Sequence, residues 1–210
     1  MKKIAVTQRV EIVPDYGERR DCLDQRWSEL LIQCELHPVI FPNCRNSAAK
    51  IWANSEIEGL LLTGGNTLCE YGGDAPERDE TERFLLQQAL DQNLPVLGVC
   101  RGMQLLQHHF GERLMPIENH VGTRHQLQLS TTSRYTDLLE KIETVNAYHT
   151  LGSLENTSEL QITAHSKDGV IMAVEHPHKK VFGQMWHSER DFPFEEEQLA
   201  LFRRILGQEI

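Results

Sequence analysis

The chain has 210 residues, which is long enough for one sizeable core, and we expect a single domain over residues 1–210. Its formal net charge of −10 argues against nucleic acid as a partner, because contact with the phosphate backbone depends on Lys and Arg. The apolar run after Lys3 stops at Val6, and no other run approaches the roughly 20 apolar residues that cross a bilayer. We therefore expect a soluble, cytoplasmic protein without a membrane partner.

The first half of the chain predicts strands that alternate with helices. Continuous apolar runs predict strands over KIAVTQ (3–8), PVIF (38–41), GLLLTGG (59–65) and PVLGVC (95–100). Helical spacing of apolar residues predicts helices over about 19–35, 76–93 and 101–110. Short apolar strands between helices are typical of a parallel sheet that is covered on both faces.

The second half predicts shorter strands without intervening helices. The predicted strands cover residues 125–129, 144–149, 160–165, 169–176 and 180–187, and a closing helix covers 194–206. The predicted fold class is therefore α/β. It has a mainly parallel central sheet flanked by helices, with additional antiparallel strands in the second half.

Neither a disulfide framework nor a metal centre is predicted. The cysteines are odd in number and include no CxxC pair: Cys22, Cys34, Cys44, Cys69 and Cys100. The neighbouring histidines His108 and His109, and the pair His176 and His178, have no cysteine or carboxylate that would complete a tetrahedral zinc site. We therefore expect reduced thiols and no bound metal.

Cys100 stands at the junction of a predicted strand and a predicted helix. The sequence GVCRG, residues 98–102, has the form of a strand-to-helix elbow, in which a strained turn lifts a nucleophile clear of the sheet. The positive end of the following helix favours the thiolate form of such a cysteine. The alternative is that Cys100 is a small core residue, as many free cysteines are.

A cysteine nucleophile needs a base and a site for the developing oxyanion. His187 ends a predicted strand, and Glu189 follows it closely enough to orient an imidazole. Gly64 and Gly65 end another predicted strand, so backbone N–H groups of Gly65 and Arg101 are candidate oxyanion donors. A plain glycine turn is the alternative for Gly64 and Gly65.

Three separated motifs in this chain resemble one known family. TGGN (63–66), GVCRGMQ (98–104) and GQMWHSE (183–189), in this order and at these separations, resemble the class I glutamine amidotransferase-like family. The resemblance covers essentially the whole chain and implies a flavodoxin-like arrangement of the sheet. It also implies an enzyme that forms a glutamyl thioester on its cysteine.

The resemblance assigns roles to particular residues. It implies a catalytic triad of Cys100, His187 and Glu189, and an oxyanion hole from the N–H groups of Gly65 and Arg101. It implies substrate contacts from Gln104 and, in the segment VNAYH, from Asn146, Tyr148 and His149. Such chemistry needs no metal and no organic cofactor, and its partner is a small γ-glutamyl compound.

The chain departs from the family at one position of the third motif. The family usually has proline between the histidine and the glutamate, whereas this chain has Ser188. Proline fixes the local turn and lacks an N–H group, so the serine bears on the placement of Glu189.

Arg101, Gly102 and Met103, with the VNAYH segment, resemble the γ-glutamyl hydrolase branch more than synthetase domains. This favours a hydrolase that acts alone, which releases L-glutamate from a γ-glutamyl amide. Two alternatives stay open: a glutaminase subunit that delivers ammonia to a separate synthetase, and a non-catalytic member of the fold. The oligomeric state is not predicted.

Arginines near the first strand suggest an anionic leaving group. Arg9, Arg19 and Arg26 lie close to the predicted strand edge that carries Cys100, and arginine binds phosphate in a bidentate manner. The alternative is surface ion pairing with nearby Asp and Glu.

The segments YGERRD and LDQRW also resemble hydrolases that release cytidine diphosphoramidate from γ-glutamyl-CDP-amidate in surface-polysaccharide synthesis. That compound is the preferred substrate, and an uncharged γ-glutamyl amine is the alternative.

Overall fold

The computed structural model of the protein describes residues 1–130, 133–155 and 159–207. In these ranges the strands are β1 (Lys2–Val6), β2 (Arg9–Ile12), β3 (Arg19–Cys22), β4 (Leu36–Ile40), β5 (Gly59–Leu62), β6 (Val96–Val99), β7 (Met115–Pro116), β8 (Val121–Gln126), β9 (Gln128–Leu129), β10 (Thr144–Tyr148), β11 (Leu151–Gly152), β12 (Gln161–His165), β13 (Ile171–Glu175) and β14 (Val181–Gln184). The α-helices are α1 (Arg26–Gln33), α2 (Arg45–Asn54), α3 (Pro76–Asp91), α4 (Arg101–His109), α5 (Thr136–Leu139) and α6 (Glu196–Phe202). None of the helices in these ranges has both the length and the apolar character that crossing a bilayer requires.

Eight of the strands form one central sheet, in the order β4-β1-β5-β6-β14-β13-β12-β9. Neighbouring strands are parallel from β4 to β14 and antiparallel from β14 to β9. The predicted α/β class is therefore confirmed, including the antiparallel strands of the second half. Three further strand pairs, β2-β3, β8-β10 and β7-β11, are separate from this sheet.

The sheet has a hydrophobic core on each face. Ile4 and Val6 of β1 belong to a buried cluster with Phe202 of α6, whereas Ala5 belongs to a second cluster with Leu85 of α3. This division follows from strand geometry, since successive side chains of a strand point to opposite faces. Both faces are buried, which explains why the parallel strands are continuous apolar runs rather than alternating ones.

Close contact between α4 and the sheet depends on two glycines. A Cβ atom on Gly98 of β6 would lie 2.6 Å from the carbonyl of Gly102, and one on Gly102 would lie 2.1 Å from the carbonyl oxygen of Leu62. A larger residue at either position would push α4 away from β5 and β6. The glycines of the GVCRG motif therefore fix where Cys100 lies.

The prediction of a helix over residues 19–35 is wrong at its start. Arg19–Cys22 is a strand that pairs with β2, with Arg9 opposite Cys22, and the helix begins at Arg26. Both strands of this pair are largely exposed and consist mostly of polar residues, so the sequence shows no hydrophobic pattern typical of a strand there. The sequence analysis also missed α2, because Ala48 and Trp52 are its only buried residues.

The strand predicted over residues 125–129 is two strands. β8 ends at Gln126 and pairs with β10, whereas β9 begins at Gln128 and joins β12 at the edge of the central sheet. The chain therefore changes its strand partner at Leu127. Alternating polar residues on both sides of Leu127 conceal this change in the sequence.

Candidate active site

The predicted catalytic and oxyanion-hole residues lie at the carboxyl ends of three adjacent parallel strands. Gly64 and Gly65 follow β5, Cys100 follows β6, and His187 lies three residues beyond β14. Because β5, β6 and β14 are neighbours in the sheet, their carboxyl ends meet at one edge. Loops at this edge form the ligand sites of open α/β sheets.

Cys100 has the strained backbone of a nucleophile elbow. Its φ and ψ angles are 53° and −107°, which is a rare conformation for a residue with a side chain. It lies directly between β6 and α4, and its N–H donates to the carbonyl of Gln184 on β14 at 2.8 Å. The Cys100 residue is 6% exposed and faces a cavity.

The imidazole of His187 lies between Cys100 and Glu189. Nδ1 of His187 is 2.5 Å from Oε1 of Glu189, and the imidazole interacts with the charge of Cys100. A Cβ atom on Gly64 would lie only 2.6 Å from Cε1 of the imidazole, so this glycine leaves room for the ring. Since Glu189 occupies Nδ1, Nε2 is the ring nitrogen that is left for the nucleophile and the substrate.

Ser188 does not displace Glu189 from the imidazole. The Ser188 hydroxyl donates to Oε1 of Gln198 at 2.7 Å and accepts from Gln184 at 2.9 Å, so it lies in the protein interior. Trp186 donates to the same Oε1 atom at 3.0 Å. The serine thus fixes the turn by side-chain hydrogen bonds where proline would fix it by its ring.

The charges around His187 strongly favour its protonated form. Burial alone would lower the pKa of His187, but the negative charges of Cys100 and Glu189 outweigh burial and raise this pKa to about 10. The imidazole is therefore able to hold a proton at neutral pH. This proton is what an amide leaving group needs.

Asn146 fixes the backbone of His187. The His187 N–H donates to Oδ1 of Asn146, and Nδ2 of Asn146 donates to the His187 carbonyl, both at 2.8 Å. Asn146 is 4% exposed. Both the oxygen and the nitrogen of the Asn146 side chain are therefore hydrogen-bonded within the protein, whereas the sequence predicted that Asn146 contacts the substrate.

A cavity of about 520 Å³ opens in front of Cys100. Its walls include most of the predicted site residues: Gly65, Cys100, Arg101, Gln104, Tyr148, His149 and His187. Nε2 of Gln104 donates to the Leu151 carbonyl at 2.9 Å, and the half-exposed Tyr148 packs edge-on against His187 with ring centres 6.0 Å apart. The volume lies in the range that is typical of small-molecule sites.

The three predicted arginines differ in their distance from this cavity. Arg9 packs beside Gly65 and lines a small adjoining cavity, where it pairs with Glu11. Arg19 donates to Glu77 at 2.5 Å and to the carbonyl of Asp74 at 2.8 Å. Arg19 is not among the residues that line either cavity.

Arg26 likewise lies outside both cavities, and its guanidinium donates to the carbonyl of Arg190 at 3.0 Å.

The sequence did not identify Arg190, which lines both cavities. The Arg190 guanidinium stacks on the Tyr148 ring at 4.3 Å and lies 3.9 Å from Glu189. It makes no hydrogen bond to any described residue. The only feature of the sequence that could have identified Arg190 as a site residue is its position directly after Glu189.

A chain of hydrogen bonds lies behind the cavity wall. Nδ1 of His149 donates to the Leu151 carbonyl at 3.0 Å, so Nε2 of His149 accepts from Nδ1 of His120 at 3.1 Å. Nε2 of His120 lies 3.0 Å from Asp168. Burial, with a smaller effect of His120, lowers the pKa of His149 to about 4.

His120 and Asp168, with the neighbouring His125, form the one potential metal-ligand group in the described ranges. The rings of His120 and His125 are stacked, however, with centres 3.9 Å apart and planes 13° apart. Lone pairs of stacked imidazoles lie in separate parallel planes and do not converge on one ion. The cluster therefore fits a hydrogen-bonded support for His149 better than a metal centre.

The chain is similar to known proteins over most of its length. The Peptidase C26 family profile matches residues 4–189. The γ-glutamyl-CDP-amidate hydrolase of Campylobacter jejuni subsp. jejuni is 30% identical over 191 residues, which cover 90% of each chain. The γ-glutamyl-γ-aminobutyrate hydrolase of Escherichia coli O157:H7 is 25% identical and covers 82% of this chain and 80% of its own.

A solved structure shares the fold. The glutamine amidotransferase of Thermotoga maritima superposes with a TM-score of 0.66 at 13% identity, and the match covers 97% of this chain and 83% of that one. At this identity the likeness concerns the fold alone. The two chains therefore share one fold over nearly the whole length of this chain.

Proposed function

Since the chain belongs to the Peptidase C26 family, we propose that it is a cysteine hydrolase of γ-glutamyl amides. Cys100 is the nucleophile, His187 is the general acid and base, and Glu189 orients the imidazole. The observation that carries this proposal is the arrangement of Cys100 and His187 on one cavity, with His187 influenced by the charge of Cys100 and hydrogen-bonded through Nδ1 to Glu189. That arrangement is the one that nucleophilic catalysis requires.

Acylation begins when the Cys100 thiolate attacks the γ-carbonyl carbon of the substrate. The C–S bond forms, and the carbonyl oxygen becomes an oxyanion that accepts hydrogen bonds from the N–H groups of Gly65 and Arg101. As the tetrahedral intermediate collapses, the C–N bond breaks and His187 gives its Nε2 proton to the leaving nitrogen. The products are a free amine or amide and a γ-glutamyl thioester on Cys100.

Deacylation uses the same groups in the reverse sense. Water attacks the thioester carbonyl while neutral His187 accepts a proton from it. The C–S bond then breaks, L-glutamate leaves, and the thiolate and the imidazolium are restored. No step draws on a metal ion or an organic cofactor.

The preferred substrate is γ-glutamyl-CDP-amidate, which would yield cytidine diphosphoramidate. The Campylobacter jejuni relative, which covers 90% of this chain, supports this choice. Arg190 also supports it, because its guanidinium lines the cavity without a hydrogen-bond partner among the described residues. A diphosphate on the leaving group would provide the missing acceptors.

A γ-glutamyl amine whose leaving group carries no phosphate is the second candidate. The Escherichia coli relative, which is named for γ-glutamyl-γ-aminobutyrate, supports this alternative at lower identity. A glutaminase subunit that delivers ammonia to a separate synthetase is the third. It differs from the other two because its turnover of glutamine would depend on a partner protein.

Steady-state kinetics with two substrates test the proposal. We expect the purified chain to hydrolyse both γ-glutamyl-CDP-amidate and γ-glutamyl p-nitroanilide without a partner, with a higher kcat/KM for the nucleotide. Cys100→Ala should abolish both activities and leave the fold intact. Full activity of the alanine variant would overturn the proposed mechanism.

Arg190 provides the test of the leaving group. Arg190→Met should lower kcat/KM for the nucleotide about tenfold to a hundredfold, since a hydrogen bond to a charged group is worth about 1.5–3 kcal/mol. Hydrolysis of the anilide should stay within about threefold. An equal loss with both substrates would overturn the role of Arg190 in binding the leaving group, and would mean that Arg190 acts through Glu189 or on the glutamyl moiety.

The control for this comparison is Arg203→Met. Arg203 pairs with Glu196 and lines neither cavity at the site. Its replacement should leave both kcat/KM values within about twofold. If wild-type enzyme prefers γ-glutamyl-γ-aminobutyrate to the nucleotide, the second candidate replaces the first.

A further inference from the structure

The loop that follows β5 is held by one buried arginine. The guanidinium of Arg78 on α3 donates to three successive carbonyls, those of Thr63 at 2.8 Å, Gly64 at 3.0 Å and Gly65 at 2.5 Å. Arg78 is fully buried. A single side chain therefore fixes the orientation of three peptide groups in succession.

Fixing the Gly64 carbonyl also fixes the N–H of Gly65. These two groups belong to one planar trans peptide, in which C=O and N–H point in opposite directions. Because the carbonyl points at Arg78, the N–H points away from it, and this N–H has no hydrogen-bond partner among the described residues. The φ angle of Gly65, 85°, is one that a residue with a side chain rarely adopts.

The second backbone donor is held through the same charged cluster. Arg78 donates from Nε to Oε1 of Glu82 at 2.9 Å, and the other carboxylate oxygen of Glu82 accepts from the Arg101 side chain. Arg101 also pairs with Asp79, which accepts from the N–H of Cys69 at 2.8 Å. The N–H of Arg101 lies in the first turn of α4, where no helical carbonyl is available to it.

Two arginines and two carboxylates thus form a buried, charge-balanced cluster behind the site. All four side chains are at most 2% exposed. Buried ion pairs of this kind are often neutral for stability compared with packed apolar residues, so stability alone gives little reason for them. Together, these four side chains connect the loop after β5 to the start of α4.

We propose that Arg78 and Glu82 are positioning residues of the oxyanion hole. Arg78 orients the N–H of Gly65, and Glu82 connects Arg78 to Arg101, whose own N–H is the second donor. This inference rests on the proposed function, because it concerns the oxyanion of γ-glutamyl transfer. The two donors come from different elements of the fold, and the Glu82 carboxylate sets their separation.

Glu82→Gln is the most direct test, because glutamine has nearly the same shape but only one acceptor oxygen. Its NH2 group replaces one of the two oxygens and does not accept a hydrogen bond, so the contact with either Arg78 or Arg101 is lost. We expect kcat for γ-glutamyl p-nitroanilide to fall about tenfold to a hundredfold, as for other displaced oxyanion donors. Glu80→Gln on the exposed side of α3 is the matched control and should stay within about twofold of wild type.

Two further measurements separate positioning from general damage. Iodoacetamide alkylates Cys100 without forming an oxyanion, and inhibition by L-glutamate reports binding of the product. Both should stay within about twofold in Glu82→Gln. Alkylation is measured in a Cys44→Ser background, because Cys44 is exposed and a hydrogen bond from Ser47 lowers its pKa.

Arg78→Lys is the second variant and keeps the charge of the cluster. A lysine ammonium lacks the planar fork that reaches three carbonyls, so kcat should fall in the same way. An unchanged kcat in either folded variant would overturn the inference, as would equal losses in kcat, alkylation and glutamate binding. Activity of Cys100→Ala would instead overturn the proposed function, so the two failures are distinguishable.

Discussion

His187 and His149 are buried in the wall of the same cavity, yet their pKa values move in opposite directions. Burial acts on both and lowers both values. His187 faces two negative groups, Cys100 and Glu189, which raise its pKa to about 10. His149 faces another histidine, His120, and its pKa falls to about 4.

The charges that surround a buried histidine decide which function it is able to perform. His187 retains a proton that it is able to give to a leaving group, as general acid catalysis requires. His149 is neutral at pH 7, and its two nitrogens have fixed hydrogen-bond roles with Leu151 and His120. One histidine is suited to proton transfer and the other to holding a cavity wall in place.

Replacement of His187 and of His149, each in a separate variant, should produce the largest difference in catalytic activity. His187→Asn should lower kcat/KM for γ-glutamyl p-nitroanilide by about 10⁴-fold or more, because acylation and deacylation both lose their proton carrier. His149→Asn should cost less than about a hundredfold. Comparable losses in the two variants, measured by steady-state kinetics on folded protein, would remove the distinction between them.

Glu189→Gln should have the next largest effect. The third member of a triad orients the imidazole and stabilises its charge without taking the proton, so activity should fall about 10²- to 10⁴-fold and remain measurable. Glu197→Gln, at a partly buried position of α6 that lines neither cavity of the site, is a suitable control. Unchanged activity of Glu189→Gln would mean that another group orients His187.

The pKa of His187 should fall when the thiolate is removed. In Cys100→Ala the imidazole stays buried beside Glu189 but loses one of its two negative neighbours. NMR titration of the His187 Cε1–H resonance should show a pKa near 10 in wild type and a clearly lower value in the variant. An identical pKa in both proteins would show that the thiolate does not raise it.

His149 should make the protein less stable in mild acid. Its pKa is lowered in the folded state, so between about pH 6.5 and 4 the unfolded chain binds a proton that the folded protein does not. The free energy of unfolding should therefore decrease as the pH falls, by up to about 1.4 kcal/mol per pH unit from this group. Urea unfolding across this range measures the slope.

The control for the stability measurement is an exposed residue that does not titrate. His149→Gln should reduce the slope, whereas Gln33→Asn at an exposed position of α1 should leave it unchanged. Asp168 acts at lower pH, because a hydrogen bond from Ser166 and the contact with His120 hold its pKa at about 2. An unchanged slope in His149→Gln would contradict the lowered pKa of His149.

The parts of the site that follow strand ends were predictable from the sequence. Continuous apolar runs identified β5 and β6, and the glycines and Cys100 follow those runs directly. Glu189 was predictable because it lies two residues from His187. Local sequence patterns and strand geometry are sufficient for such features.

Contacts between residues distant in the chain were not predictable. The sequence gives no indication that Asn146 pairs with the backbone of His187, or that Arg78 reaches the β5 loop from α3. The β2-β3 pair was not predicted because exposed polar strands carry no hydrophobic pattern. For the same reason the surroundings of Arg19, which lies on β3, were not predicted. These features depend on tertiary packing, which propensity and periodicity do not encode.

The central claim is that catalysis passes through a glutamyl thioester on Cys100. Wild-type enzyme mixed with γ-glutamyl p-nitroanilide and quenched in acid within the first turnover should contain a glutamyl adduct, detected by mass spectrometry, on the peptide that carries Cys100. The same peptide of His187→Asn and of Cys100→Ala should carry none. An adduct on another cysteine, or full turnover by Cys100→Ala, would contradict the account.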